Sequence, residues 1–271
     1  MPTLLVRVCL FIGVIARAAA AFGGVAYDVT VTRTADGGGK QTYTVVADDG
    51  YILATQTEVP PGEPVTHDSV LWTGKAPAIA LNSQNETWYE LTPDTPGAHG
   101  TIVTSVTTTG PFALASRFLK PVYKGTLKNV TVQLNAPSVV GSERHYTGRI
   151  AYDVHSSSGR VHVKVTCTAT FDVITTDKVD RRHWLGQILP ITSVDAVDAR
   201  IGAAEASIEG FPVRLSLTAT RRYEGGQPMQ DVVEVQVSGI REVTPAITTF
   251  TRPRSYRHQK PVLAVPGREG Y

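Results

Sequence analysis

Cysteine is almost missing from this chain of 271 residues, which holds only Cys9 and Cys167. Cys9 falls in an N-terminal segment expected to be removed, which leaves Cys167 alone. One cysteine makes no internal disulfide and supplies no structural zinc site by itself. Cys167 sits among alternating apolar residues and reads as a small buried hydrophobe. Charge is scarce as well: charged residues make up 18%, below the usual quarter, against 42% apolar residues. That balance argues against disorder over most of the length. No apolar run reaches the about 20 residues that a membrane-crossing helix needs. Catalytic signatures are missing too. There is no G-x-S-x-G elbow and no H-E-x-x-H. His67-Asp68-Ser69 are consecutive, and neighbours on a strand point to opposite faces, so they do not line up as a triad. Gly37-Gly38-Gly39-Lys40 lacks the leading Gly and the following Ser or Thr of a phosphate loop. It joins strand to strand and reads as a hairpin loop.

What is present begins with an export signal. Arg7 supplies a positive start, Val8–Ala16 an apolar stretch, and Ala18–Ala21 small residues for a signal peptidase. Residues 1–21 are therefore expected to be a signal peptide and the mature chain to begin near Phe22. The formal charge of +2 is unevenly placed. From Arg252 onward five basic residues face Glu269 alone. We expect an antiparallel β domain over residues 22–251 and a basic, flexible tail over 252–271. Nothing in the body calls for nucleic acid.

Period-2 alternation dominates that body. Tyr27, Val29 and Val31 alternate with polar residues, as do Tyr43 and Val45. Asp49-Gly50 is a hairpin turn signal, predicting a strand over 51–59. Shorter strands are expected over 69–73, 78–81 and 87–91. Ser158-Gly159 reads as a tight turn that sets Val154 against Val163, Tyr152 against Val165, Ile150 against Cys167, Tyr146 against Phe171 and Asp153 against Lys164. In this register every apolar residue lands on one face. Phe211 to Ala219 and Val233 to Val237 alternate in the same way. Half-buried strands make a sheet with one apolar face, which needs a cover. Two segments have helical period: Val194, Val197, Ile201, Ala204 and Ile208, capped by Ser193 and ended by Gly210, and a shorter stripe of Phe112, Ala115, Phe118 and Leu119.

Few residues suggest chemistry. His155 and His162 would lie opposite each other on the long hairpin, with His145 and Asp153 nearby, but a metal site wants three or four supported ligands. A solvated polar face is the better reading. No catalytic, cofactor-binding or metal residues are assigned, and no cofactor is expected. Asn85-Glu86-Thr87 and Asn129-Val130-Thr131 match the N-glycosylation pattern.

Three parts together resemble the bacterial periplasmic lipoprotein-carrier (LolA-like) superfamily and its uncharacterised relatives. They are the signal segment with Tyr27-Asp28-Val29-Thr30-Val31 and the Asp49-Gly50 turn, then Glu209-Gly210-Phe211-Pro212-Val213-Arg214, then Phe250-Thr251-Arg252-Pro253-Arg254-Ser255-Tyr256. The resemblance implies a mainly β fold: one curved antiparallel sheet, an unclosed half-barrel, with one or two helices on its concave apolar face. In the carriers that concavity holds lipid chains, which makes lipid or lipoprotein the implied partner. No residue of the carriers' lipid-release machinery has a match here. Two expectations follow. One is an exported, non-enzymatic module binding a hydrophobic ligand in the concavity. The other is a structural or interaction module of the cell envelope with a self-filled core.

Overall fold

The structure is a computed structural model and describes residues 23–34, 39–58, 68–75, 77–91, 111–114, 126–158, 161–188 and 196–259. Alternating Val, Thr and Tyr favour extended chain, and the described residues form thirteen strands of one sheet. They are β1 (Gly24–Arg33), β2 (Lys40–Asp48), β3 (Tyr51–Glu58), β4 (Ser69–Thr73), β5 (Ala78–Asn82), β6 (Thr87–Leu91), β7 (Thr126–Leu134), β8 (Ser138–Val140), β9 (Glu143–Ser158), β10 (Val161–Thr176), β11 (Phe211–Tyr223), β12 (Pro228–Val243) and β13 (Arg257–His258). The order across the sheet is β13-β6-β5-β4-β3-β2-β1-β12-β11-β10-β9-β7, with β8 pairing β9. Two meanders meet where β12 returns to pair with β1. All neighbours are antiparallel except β13 and β6. The sheet is large, curved and unclosed, as expected of a half-barrel. The one α-helix among the described residues, α1 (Ala196–Ala206), packs on β7.

The Asp49-Gly50 hairpin forms as expected. Both residues take positive φ, 42° and 82°, the left-handed geometry a two-residue turn requires of its centre. The long hairpin of β9 and β10 differs from expectation. Val161 pairs with Ser158, so the residues between the strands are Gly159 and Arg160, which lie outside the described residues. Val154 faces Val165, Tyr152 faces Cys167, Ile150 faces Ala169, Tyr146 faces Val173, and Asp153 faces Thr166. The register is displaced by two residues from the expected one. A displacement of two preserves parity, so the sorting of polar from apolar residues is the same in both registers. Sorting alone could not tell them apart. What distinguishes them is Gly148, which faces Phe171. A Cβ at Gly148 would stand 2.2 Å from Phe171 Cζ and 2.3 Å from the Gln133 carbonyl oxygen. The ring lies over the one position of β9 that leaves room for it.

The sheet has a front face, lined by Tyr27, Val29, Val45, Ala54, Ile150, Phe171, Leu217 and Val235, that holds the main core. Its first meander is also apolar behind. Leu71 and Leu81 form a second cluster there with Val46, Leu53, Ile79 and Trp88, and Phe250 and Tyr256 close it. The stretch from Arg252 to Gln259, expected to belong to a flexible tail, is thus attached to the domain. Arg252 lies 4.4 Å over the Trp88 ring, and the backbone N–H groups of Arg257 and Gln259 donate to Glu86 and Trp88. Residues 260–271 and 1–22, including the expected signal peptide, lie outside the described residues.

Candidate functional site

The front face is the candidate site, and its register across the first meander sets its lining. Tyr27 pairs with Val45, Val45 with Ala54, Ala54 with Val70, Val70 with Ala80, and Ala80 with Tyr89. A lane of small side chains therefore crosses β2 to β5, with a tyrosine at each end. Strand spacing makes it about 24 Å from β1 to β6 along the sheet. Ala47 and Ala78 widen it on β2 and β5. The second meander carries larger groups on the same face: Tyr146, Tyr152, Phe171, Leu215 and Leu217.

Over this face lies a cover of short elements. Pro111–Leu114 and Leu185–Ile188 are single 3-10 turns that touch each other, and the turn Arg181–His183 precedes the second. Their apolar residues Phe112, Trp184 and Leu185 are buried, as is Ile201 of α1. Phe112 meets Phe171 edge-on at 4.8 Å, and Trp184 meets Phe211 at 5.7 Å. Tyr27 hooks the cover to β1. Its hydroxyl donates to the His183 carbonyl at 2.7 Å and accepts the Leu185 N–H at 2.9 Å. Burial pushes the Tyr27 phenol far up, so it stays neutral and can do both.

The pieces of the cover are also tied to one another. Glu205 of α1 is buried, and its carboxylate accepts the Phe112 N–H at 2.8 Å. The Arg181 guanidinium donates to the carbonyls of Glu205, in the last turn of α1, and Ile208, just past it, where unpaired carbonyls gather and cations are favoured. The Tyr146 hydroxyl accepts the Glu209 N–H, and Thr175 donates to the Glu209 carbonyl.

At the far end of the same face the lining turns polar. Arg33, Gln41, Arg221 and Asp231 occupy the inward positions that follow Val31, Tyr43, Ala219 and Val233. Asp231 is buried and lies two positions along β12 from the partners of both Arg33 and Arg221, Val233 and Met229. Arg221 forms an ion pair with it. Gln41 is buried and accepts from the Tyr43 hydroxyl. Cys167 faces Arg221, and burial pushes its thiol up.

The residues singled out in the sequence do not assemble. His155 faces Lys164 and Thr126, His162 faces Ser157, and His145 faces Ile174 and Ser138. Among the described residues no three His, Cys, Asp or Glu side chains group as metal ligands. Asp153 does approach Lys164, diagonally and at 3.7 Å. Burial pushes its carboxyl up, but hydrogen bonds from Asn129 and Thr166 and the Lys164 charge together hold it below the usual range. Asn129, one of the two glycosylation sequons, is thus engaged through its amide, whereas Asn85 stands exposed in a turn. Asp68 accepts from Ser83, and Ser69 donates to Thr55, while His67 lies outside the described residues. The helix stripe is met in part. Ile201 and Ile208 are buried, Val194 lies outside the described residues, and α1 ends at Ala206, with Gly210 in the turn to β11. For the second stripe, Phe112 lies in the core, while Ala115, Phe118 and Leu119 lie outside the described residues.

Sequence reasoning missed Glu205, Arg33, Arg221 and Asp231. Glu205 stands four residues after Ile201, on the buried side of the helix. Arg221 and Asp231 keep the inward parity of the apolar runs beside them. Parity was the signal available for both.

No family model matches the chain, and no curated protein matches it. Among solved structures, a LolA superfamily protein from Nitrosomonas europaea is similar over 84% of this chain and 90% of that one, at 12% identity and a TM-score of 0.34. No helix among the described residues is long and apolar enough to cross a membrane.

Proposed function

We propose that the protein is an exported, non-enzymatic module that takes an apolar chain, from a lipid or a lipidated partner, on the front face of its half-barrel. The observation that carries this reading is the lane of Val45, Ala54, Val70 and Ala80 between Tyr27 and Tyr89. A self-contained core is usually filled by large side chains that interdigitate. On β2 to β5 the row of Val45, Ala54, Val70 and Ala80, lying between larger groups of the same face such as Tyr43, Ile52 and Trp72, leaves more depth than its neighbours. The cover supports the reading as well. It consists of single turns and one short helix, held by the burial of Phe112, Trp184, Leu185 and Ile201 and by a small number of hydrogen bonds. The segment over residues 1–21 supports the exported location.

A second reading has its own observation. Phe112, Trp184, Leu185 and Ile201 are wholly buried in the main core, and the turn that carries Leu185 reaches β3 of the first meander, as a structural or interaction module of the envelope would require.

Uptake of an apolar fluorescent probe separates the two. Under the first reading the native protein takes up the probe saturably, a long-chain acyl compound displaces it, and Tyr27→Phe, which frees the cover from β1, speeds uptake. Under the second, the folded protein binds no probe, and Tyr27→Phe lowers stability without creating uptake.

A further inference from the structure

We propose that the stretch over residues 247–258, a strap across the back of the first meander, docks on an anionic phospholipid bilayer through Arg254 and Arg257, with Ile247 as an apolar contact. This inference goes beyond the front-face reading and does not depend on it. Charge is the first ground. Residues 243–259 hold Arg252, Arg254 and Arg257 and no carboxylate. The three arginines differ in what they do. Arg252 fastens the strap, lying 4.4 Å over the Trp88 ring and donating to the Tyr256 carbonyl at 3.2 Å. Arg254 and Arg257 are exposed, and among the described residues their guanidinium groups have no ion pair or hydrogen bond. Elsewhere on the surface Lys40, Arg144 and Arg182 each have a carboxylate within 4 Å. Glu86 offers Arg257 its backbone carbonyl and not its carboxylate.

The second ground is that the strap is held in place. Its first turn packs on β3 and β4, with the Phe250 ring 5.6 Å from that of Tyr51. Its far end pairs with β6 as β13, and the His258 ring lies 4.5 Å from that of Trp88. Arg254 and Arg257 are thus carried on ordered backbone, so a bound anion orders only their side chains. A guanidinium fork fits a phosphate with two parallel hydrogen bonds. The third ground is Ile247. At 68% it is the most exposed large apolar side chain among the described residues. One exposed isoleucine is ordinary by itself. On a basic strap free of carboxylates it supplies the other half of an interfacial contact: cations meet the head groups, and an apolar side chain meets the acyl boundary. An acidic protein face would match the arginines alone, and Ile247 is what favours the bilayer.

The test is sedimentation of the full chain, folded as judged by circular dichroism, with two kinds of vesicle. One is phosphatidylcholine alone, and the other is phosphatidylcholine and phosphatidylglycerol in equal parts. The native protein should bind the mixed vesicles only, and added salt should release it. Arg254→Gln and Arg257→Gln should each weaken binding about fivefold, and together about thirtyfold. The pair Arg254→Lys and Arg257→Lys keeps the charge and should stay close to the native affinity. Ile247→Ser should weaken binding and leave its salt dependence as in the native chain. Equal binding to both vesicles, or native binding by the paired Gln variant, would overturn the proposal. Absence of binding at low salt would overturn it too, and binding to polyglutamate in its place, lost in the paired Gln variant, would give the strap to an acidic protein. The paired Gln variant should leave probe uptake by the front face unchanged, so failure here and failure of the apolar-chain reading are told apart.

Discussion

His183 is a buried part of the cover, its carbonyl accepting from Tyr27 and the next residue, Trp184, packing on Phe211. Burial disfavours the charged imidazole and lowers its pKa. The Asp180 carboxylate pulls the other way, the neighbouring Arg182 adds to the lowering, and Asp48 and Asp49 oppose it, yet burial prevails. The sign of the consequence follows from linkage. A histidine whose folded pKa lies below its unfolded value is protonated more readily in the unfolded chain. Its neutral form contributes stability that is present above the unfolded pKa of about 6.5 and is lost as pH falls toward the folded pKa. The carboxyls of Asp153 and Asp180 are held low, so their losses come at more acidic pH. Denaturant midpoints measured between about pH 7.5 and 5.5 should therefore fall for the native chain and stay nearly level for His183→Gln. Equal slopes would mean that the imidazole is not excluded from water.

Gly148 shows how an element is specified where alternation is silent. Both registers of the β9–β10 hairpin sort their side chains equally well, and only one gives the Phe171 ring a residue without a Cβ. Gly148→Ala should cost about 1–3 kcal/mol or more, the range for overpacking. Adding Phe171→Leu should fail to restore the loss, because the Gln133 backbone oxygen still blocks the new methyl group. Full recovery in the double variant would refute that geometry. For α1, Ile201→Ala should cost about 2–5 kcal/mol, since Ile201 is wholly buried in the main cluster. A change near zero would mean that the helix is not docked. Most strands were legible, down to the short β4, β5 and β6, because a period of two survives local noise, but β7, whose parity breaks at Asn129, and the short β8 and β13 were not. The long hairpin was legible only to within its parity. The cover was less so, because its turns have too few residues for a period. The bonds of Tyr27, Arg181 and Glu205 join residues 24 to 158 positions apart, and no local pattern encodes them.

At the scale of the whole molecule, one sheet is covered on two sides by different means. Behind β2–β6, the strap from Ile247 to His258 sets Phe250 against Leu71 and Leu81 and joins the edge of β6 as a parallel strand. In front, the interlocked turns and α1 lie over a face that carries large groups on both meanders, with the row of Val and Ala crossing β2 to β5 between Tyr43, Ile52 and Trp72. The Phe-Pro-Tyr ending seen in the sequence has a physical role here. Phe250 and Tyr256 are the two anchors of the strap, and Pro253 accepts the Tyr256 N–H in the bend between them. The central claim is that the front cover opens while the sheet stays folded. Native-state hydrogen exchange tests it directly, because cover and sheet amides are read in the same sample. The account predicts that the amides of Phe112, Leu185 and Glu209, bonded to Glu205, Tyr27 and Tyr146, exchange through an opening of lower free energy than those of β1, β10, β11 and β12, and that an acyl ligand changes this difference. Exchange of cover and strand amides at one common free energy, unaffected by ligand, would contradict it and make the cover part of a closed core.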